Sequence, residues 1–577
     1  MMLQRLRDAH QRRLEPSHST THLRRTLTAL DLVLYGVGSS VGAGIYVLVG
    51  LGAVLAGPAI SLSFALCGLA CVLTSLSYAD FAAKIPLTGS AYTYCYVALG
   101  EVWAWMVGWN LILNYGVSTS VVARAWADYT AAWAKQAFGW TWMDWLAEFP
   151  LLGEEMGYHC SPLSTLIVGI NTLILLRGVQ DSSVFNNVMT ILNLSVLLLV
   201  VVAGLASRSI QIDNLKPFVP HEWGSVLEGA GLVFFAFIGF DMVASLGEEV
   251  IHPQVNLPIG IVGSLLVSTL LYVSVSLAVV GMAPVSLLGD KVPIIHALLA
   301  NGCCTHDEQL ASYASDVCLA CDDSALRPLL VLVARIVSVG AILGLMASSF
   351  TSLMGQPRIF YRMAQDGLWF PLFGKVDPVT HVPSEGIVVT GIAAALLACF
   401  YPLQALANLI SLGTLMVFTL VNGGVLVVRS EGLGGWISAY TVSMTVSSIL
   451  WANGHWAWTA CGVVSLVAAV RIVVGIPPRS SAPSDTFECP LVPWIPLGGI
   501  ACNAVMMGSL PLSSWLLCGV WLVCGFSVYW LYGIRHSVLG KKLDETVAPL
   551  VDNRPNYQST TATDISLHGV PPHVHDG

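Results

Sequence analysis

Charge is what this sequence has least of. Only 10% of its 577 residues are Asp, Glu, Lys or Arg, against about a quarter in a soluble chain. That shortage excludes a soluble enzyme, a nucleic-acid binder, a disordered scaffold and a coiled coil, none of which keeps so much apolar surface without a bilayer. Cysteine is dilute as well, 14 residues in all, too few for a disulfide scaffold. No cleavable signal peptide is expected, because residues 1–28 are polar and basic and the first apolar stretch is too long for a signal core. Strand-like alternation is missing, which disfavours a β-barrel. What is abundant is apolar: 55% of residues are hydrophobic and the mean hydropathy is +0.73. The fold class expected is an all-α polytopic membrane protein.

A membrane-spanning helix needs about 20 mainly apolar residues. Stretches of that kind run over 30–52, 58–82, 97–123, 161–177, 188–206, 226–246, 258–282, 329–354, 387–401, 404–427, 435–453, 455–475, 495–511 and 514–534. Lys and Arg near span ends mark the cytosolic side. With the N-terminus inside, Arg124, Lys135, Arg208, Lys216, Lys291, Arg327 and Arg335 are the only ones of the 25 basic residues left outside or at outer helix ends. Both termini are therefore expected in the cytosol, with an even span count. Two outer loops are long, 124–160 and 283–328. The second carries Cys303, Cys304, Cys318 and Cys321, which in an oxidising compartment point to one or two disulfides. Metal binding is the alternative, with only His306 nearby. The remaining cysteines read as small apolar residues in or near spans. The tail 536–577 is polar and expected to be disordered.

Two spans are interrupted. The first contains Tyr35-Gly-Val-Gly-Ser-Ser-Val-Gly-Ala-Gly-Ile-Tyr46. Glycine in a helix interior costs about 1 kcal/mol relative to alanine, so four together favour unwinding. Unwound backbone cannot face lipid and must line protein or a cavity. Its freed N–H groups attract an anion such as a carboxylate. Small-residue helix packing is the competing explanation. The second is Phe234-Phe-Ala-Phe-Ile-Gly-Phe-Asp-Met242, with a carboxylate deep in the sixth span. An intramembrane Asp is costly and reads as functional, although Asp241 also has the option of capping or pairing locally. Spans 1 and 6 correspond in a five-plus-five inverted repeat, an arrangement of transporters with midplane sites.

Several motifs, in order along the chain, now resemble a known family: Gly36 to Leu48; Pro86-Leu-Thr-Gly-Ser-Ala-Tyr-Thr-Tyr94; Gly108 to Tyr115 with Ala123 to Trp126; Phe235 to Asp241 with Gly247-Glu-Glu-Val250 and Pro258 to Ile261; Gln356 to Leu368; Pro490 to Pro496; and Tyr532 to His536. The chain resembles the cationic amino acid transporter branch of the amino acid–polyamine–organocation superfamily, in its fourteen-helix eukaryotic form. The resemblance implies a LeuT-like ten-helix core over 29–428, four further helices over 429–535, and alternating access. It implies that the amides of Gly42, Ala43 and Gly44, with Ser40 and Val41 adjoining, hold a substrate carboxylate. Carbonyls near Ser39, Phe235, Ala236 and Phe237 would meet the α-amino group, with Phe235 as an aromatic gate. Asp241 would steady the sixth-helix break or take part in protonation.

Two positions depart from proton-coupled bacterial relatives. Asn193 stands where some carry a lysine, and Asn114 where they carry an acid. Asparagine has no route to proton coupling, which favours uniport driven by gradient and potential. The lost acid removes one partner for a basic side chain. The expected substrate is a free cationic amino acid (arginine, lysine or ornithine), with a proton-coupled or neutral carrier and a low-flux sensor as the alternatives. No enzymatic constellation, cofactor, metal or nucleic-acid site is expected. The plasma membrane is preferred over a lysosomal or vacuolar one. Glu248 and Glu249 are expected in ion pairs on the inner side, where Arg358 and Asp366 organise the loop after span 8. Trp103, Trp105 and Trp109 are read as interface belt and helix packing.

Overall fold

The computed structural model describes residues 13, 25–150, 159–177, 182–207, 209–220, 222–289, 291–302, 326–377, 382–430, 432–476 and 486–541. Cys303, Cys304, Cys318 and Cys321 lie outside these residues, as do most of the N-terminal segment and the C-terminal tail.

The first helix starts at a capping box: the Thr28 N–H donates to Asp31 Oδ2 at 2.9 Å and the Asp31 N–H to Thr28 Oγ1 at 3.4 Å. α1 (Ala29–Ser40) stops at the glycine-rich run, α2 (Ala43–Tyr46) and α3 (Leu48–Ala56) resume it, and α4 (Ile60–Lys84) follows. After α5 (Ala91–Ala98), α6 (Glu101–Ile112) passes through a π-helical turn, Leu113–Val117, into α7 (Ser118–Phe138). A short α8 (Trp142–Ala147) precedes a two-residue antiparallel ladder, β1 (Phe149–Pro150) with β2 (His159–Cys160). α9 (Pro162–Leu176), α10 (Ser182–Ala206) and α11 (Trp223–Val233) come next. α11 gives way to two 3-10 stretches, Phe234–Phe237 and Phe240–Glu249. α12 (Pro253–Met282), α13 (Val285–Leu288), α14 (Pro293–Gly302), α15 (Leu326–Gln365), α16 (Ser384–Phe400) and α17 (Leu403–Val428) complete the part that carries the breaks. α18 (Gly434–Ala452), α19 (Trp458–Gly475), α20 (Trp494–Gly508) and α21 (Leu512–Val528) follow, and a π-helical turn, Tyr529–Gly533, and a helical turn, Ile534–His536, continue α21.

Helix covers each stretch that the apolar pattern marks. Among the described residues, eight helical runs are long and apolar enough to cross a membrane, and four shorter ones are apolar. The chain is an all-helical polytopic membrane protein. Two packed groups are evident in its break-bearing part. α12 lies along α1 and α4, while α7, α9, α15 and α16 pack on one another. From Gly229 to Gly247 α11 and its 3-10 continuation are buried, whereas α19 and α21 turn most of their surface outward.

The two segments expected as long outer loops contain helix in their described residues. α7 does not end near Arg124 but runs on to Phe138. Arg124 is held within the helical packing: Nε donates to Ala398 O at 2.5 Å and a terminal nitrogen donates to Cys399 O at 2.7 Å. Its charge therefore does not end the helix. The second loop contains α13 and α14, and Lys291 within it pairs with Glu148 of the first.

The last helices are fastened to α6. Glu101 is fully buried and accepts from Tyr96 Oη at 3.1 Å, Tyr529 Oη at 2.9 Å and Ser537 Oγ at 2.6 Å. Trp105 Nε1 donates to Gly525 O at 2.9 Å and Trp109 Nε1 to Trp521 O at 2.8 Å. Two of the three tryptophans thus pack helix on helix, and Trp103 is exposed.

Candidate functional site

The glycine-rich run does break the first helix. Val41 leaves the helical region at φ −79°, ψ 86°, and Gly42 is extended at φ −141°, ψ −139°. The amides that open α2 have no acceptor within their own helix. The sixth-span break is Ile238 and Gly239, with Gly239 at φ +136°, a conformation that only glycine adopts without strain.

The two breaks touch. Ser39 Oγ lies 2.9 Å from Gly239 O and 3.0 Å from Gly36 O, sharing its proton between them. A β-carbon on Gly44 would stand 2.3 Å from Ala236 Cα, and one on Gly42 would stand 2.4 Å from Ser348 Oγ of α15. Gly44 is required by close approach because the obstructing atoms are backbone, whereas at Gly42 the nearest atom is a rotatable hydroxyl.

Asn193 of α10 ties the first break. Its Nδ2 donates to Val41 O at 3.0 Å, and its Oδ1 accepts from Tyr46 Oη at 2.5 Å. Tyr129 of α7 then donates to Tyr46 O at 2.7 Å. A neutral amide thus bridges the end of α1 and the resumed helix. Gly344 leaves room for it, since a β-carbon there would meet Asn193 at 2.6 Å.

Asp241 holds the second break. Its Oδ1 accepts the Gly239 N–H at 3.1 Å, its Oδ2 accepts Tyr115 Oη at 3.0 Å, and its own carbonyl accepts Ser90 Oγ at 3.0 Å. Tyr115 comes from the π turn, a feature frequent at functional sites. Asn114 beside it accepts from the Thr414 hydroxyl of α17.

The structure brings Ser39, Val41, Gly42, Gly44, Ala236, Asp241 and Asn193 together, and the Asn114 side chain stands within hydrogen-bonding reach of Asp241. Ser40 Oγ donates back to Gly36 O at 2.9 Å, and Ala43 O accepts the Val47 N–H at 2.9 Å. Phe235 is buried, and its carbonyl accepts the Ile238 N–H at 3.2 Å. Ala236 O accepts Tyr272 Oη at 2.8 Å, and the Phe237 ring packs on Tyr272 at 5.1 Å between centroids. Tyr46, Tyr115, Tyr129 and Ser90 were not marked by the pattern. A buried tyrosine hydroxyl demands a partner, and that rule would have singled out Tyr46 and Tyr115 inside the motifs.

At the far ends of these helices Glu249 pairs with Arg358 at 3.4 Å, as expected. Glu248 instead accepts the N–H and hydroxyl of Thr88, both at 3.0 Å. Asp366 pairs with Arg362 at 3.4 Å and accepts Tyr92 Oη at 2.8 Å.

The profile of the amino acid permease family matches residues 27–301 and 331–495, and that of the family's C-terminal region matches 487–537. The chain belongs to the amino acid permease family. Among its relatives, the methylthioribose transporter of Bacillus subtilis is 34% identical over 92% of this chain and 97% of its own. The branched-chain amino acid permease BcaP of the same bacterium is 33% identical over 90% and 95%. Cationic amino acid transporter 3, mitochondrial, of Arabidopsis thaliana is 31% identical over 95% and 97%. Membership makes this permease a transporter rather than an enzyme and implies the LeuT-like fold. The relatives differ in their named substrates at nearly equal identity, so these identities show the family without singling out one branch.

Proposed function

We propose that this permease moves free cationic amino acids (arginine, lysine or ornithine) by facilitated, potential-driven uniport or exchange through alternating access. In this reading both termini are cytosolic, the chain crosses the membrane fourteen times, and residues 29–428 form the moving core with 429–535 as an added flank. The plasma membrane is its location. The α-carboxylate docks on the amides of Gly42, Ala43 and Gly44. The α-amino group is met by carbonyls at the two breaks, and Phe235 closes over the substrate.

The observation that carries this reading is the contact of the two breaks, Ser39 on Gly239 and Gly44 on Ala236. It concentrates unwound backbone at one depth, where its dipoles recognise the parts common to all amino acids. Asn193 supports uniport. The group that tethers Val41 and Tyr46 is an amide, which holds no exchangeable charge there. One positive charge falling through about 100 mV gains about 2.3 kcal/mol, enough for roughly fifty-fold accumulation without a coupled ion.

Purified protein in liposomes tests this. Labelled arginine should enter down its gradient and faster with the interior negative. If no amino acid exchanges in a folded preparation, transport itself is refuted. A second reading, a neutral amino acid carrier, is favoured by one observation: both Asp241 oxygens are used inside the fold. Competition by leucine but not by arginine would establish it.

A further inference from the structure

Cys160 and Cys399 are 239 residues apart in sequence, yet their Sγ atoms lie 2.6 Å apart at one end of the helices. Cys160 closes β2 just before α9, and Cys399 sits in the last turn of α16. Their backbones are already fixed to each other. The Ser161 N–H donates to Cys399 O at 3.0 Å, and Ser164 Oγ lies 3.1 Å from Ala398 O. Arg124 of α7 donates to the same two carbonyls, at 2.5 Å to Ala398 O and 2.7 Å to Cys399 O. Three helices thus converge on one corner, and neither sulfur is deeply buried. The basic-residue pattern puts this corner on the face away from the cytosol, the side on which disulfides persist.

We propose that Cys160 and Cys399 are joined by a disulfide on the non-cytosolic face, a covalent corner of the group α7, α9, α15 and α16. The inference rests on the orientation given above. The two thiols lose two protons and two electrons to the disulfide of an exchange partner, an oxidoreductase or glutathione disulfide. One thiolate attacks that disulfide and forms a mixed disulfide. The second thiolate displaces the partner's sulfur, so one S–S bond forms here and the partner leaves as two thiols. Burial and the neighbouring Cys399 push the Cys160 thiol up, to about 11, so little thiolate exists near neutrality. That suits a structural staple better than a redox sensor. The corner lies within one packed group, and that group also touches the first break through Ser348 of α15 and Tyr129 of α7.

The test is mass spectrometry on full-length protein from membranes, with free thiols alkylated before any reduction and digestion done without reductant. The expected product is a peptide containing Cys160 linked to one containing Cys399. Recovery of either cysteine alkylated before reduction overturns the proposal, and so does linkage of either one to a cysteine of the 303–321 segment. C160S, C399S and the double variant should lower the melting temperature by the same amount, because each removes the same bond. Additive shifts would overturn it too. An N-terminal epitope scored in intact and permeabilised cells distinguishes a failed disulfide from a failed orientation. Arginine uptake, unaffected by either result, reports separately on the transport reading.

Discussion

Gly44 is the residue with least freedom to change. Its missing side chain is what lets the first break lie on Ala236, and the obstructing atom is backbone. Gly44→Ala should reduce uptake by at least about tenfold, while Gly519→Ala, with nothing within 4 Å, should be silent. Initial uptake rates normalised to folded protein decide this. Asn193 and Tyr46 form a second such point. Tyr46→Phe leaves a buried acceptor without its donor, at a cost of about 1–3 kcal/mol. The pair shares one interaction, so Asn193→Ala and Tyr46→Phe should be strongly non-additive in a double-mutant cycle of thermal stability. Additivity would mean that the hydrogen bond contributes nothing.

At the scale of elements, the sixth-span break depends on Asp241 as a cap. Asp241→Asn keeps an acceptor for the Gly239 N–H and places an NH2 where Tyr115 Oη can accept, so transport should survive. Asp241→Ala should abolish it. Loss in both variants would instead assign Asp241 to protonation. The elements themselves were largely legible in the sequence. A run of about 20 apolar residues has few uses other than spanning, and glycines clustered in one span, or an Asp deep in another, carry a local cost visible without coordinates. The pairings were not legible. Asn193 is 147 residues from Tyr46 and Tyr115 is 126 from Asp241, so no local pattern records them. Helix ends at charged residues misled for a physical reason. Arg124 looked like the end of a span because a free guanidinium avoids lipid, but carbonyls of α16 accept it.

For the whole molecule, the proposed uniport makes uptake a function of voltage and not of external pH. Arginine entry should rise steeply with negative potential and change little when the outer solution is acidified by about two units; a proportional rise on acidification would establish proton coupling instead. The flank over 429–535 is fastened through buried Glu101. Glu101→Ala would deprive three hydroxyls of their acceptor, and the melting temperature in detergent should fall markedly, with uptake lost only in proportion to unfolded protein. Here too sequence was only partly informative. It marked the tryptophans of α6 as packing or interface residues, but it had no means of naming Gly525 and Trp521 as their acceptors.

α9 has 15 residues and α16 has 17, and they lie side by side with Leu166, Leu173, Ile392 and Leu396 exposed on their outer surfaces. At 1.5 Å per residue α9 reaches only about 22 Å, short of a hydrocarbon layer of about 30 Å. A bilayer that thins along this flank would match it, and lipid chain length would then act as a mechanical load on one side of the protein. Reconstituted in lipids of graded acyl length, the transporter should be most stable in the thinner membranes and should gather shorter chains around that flank.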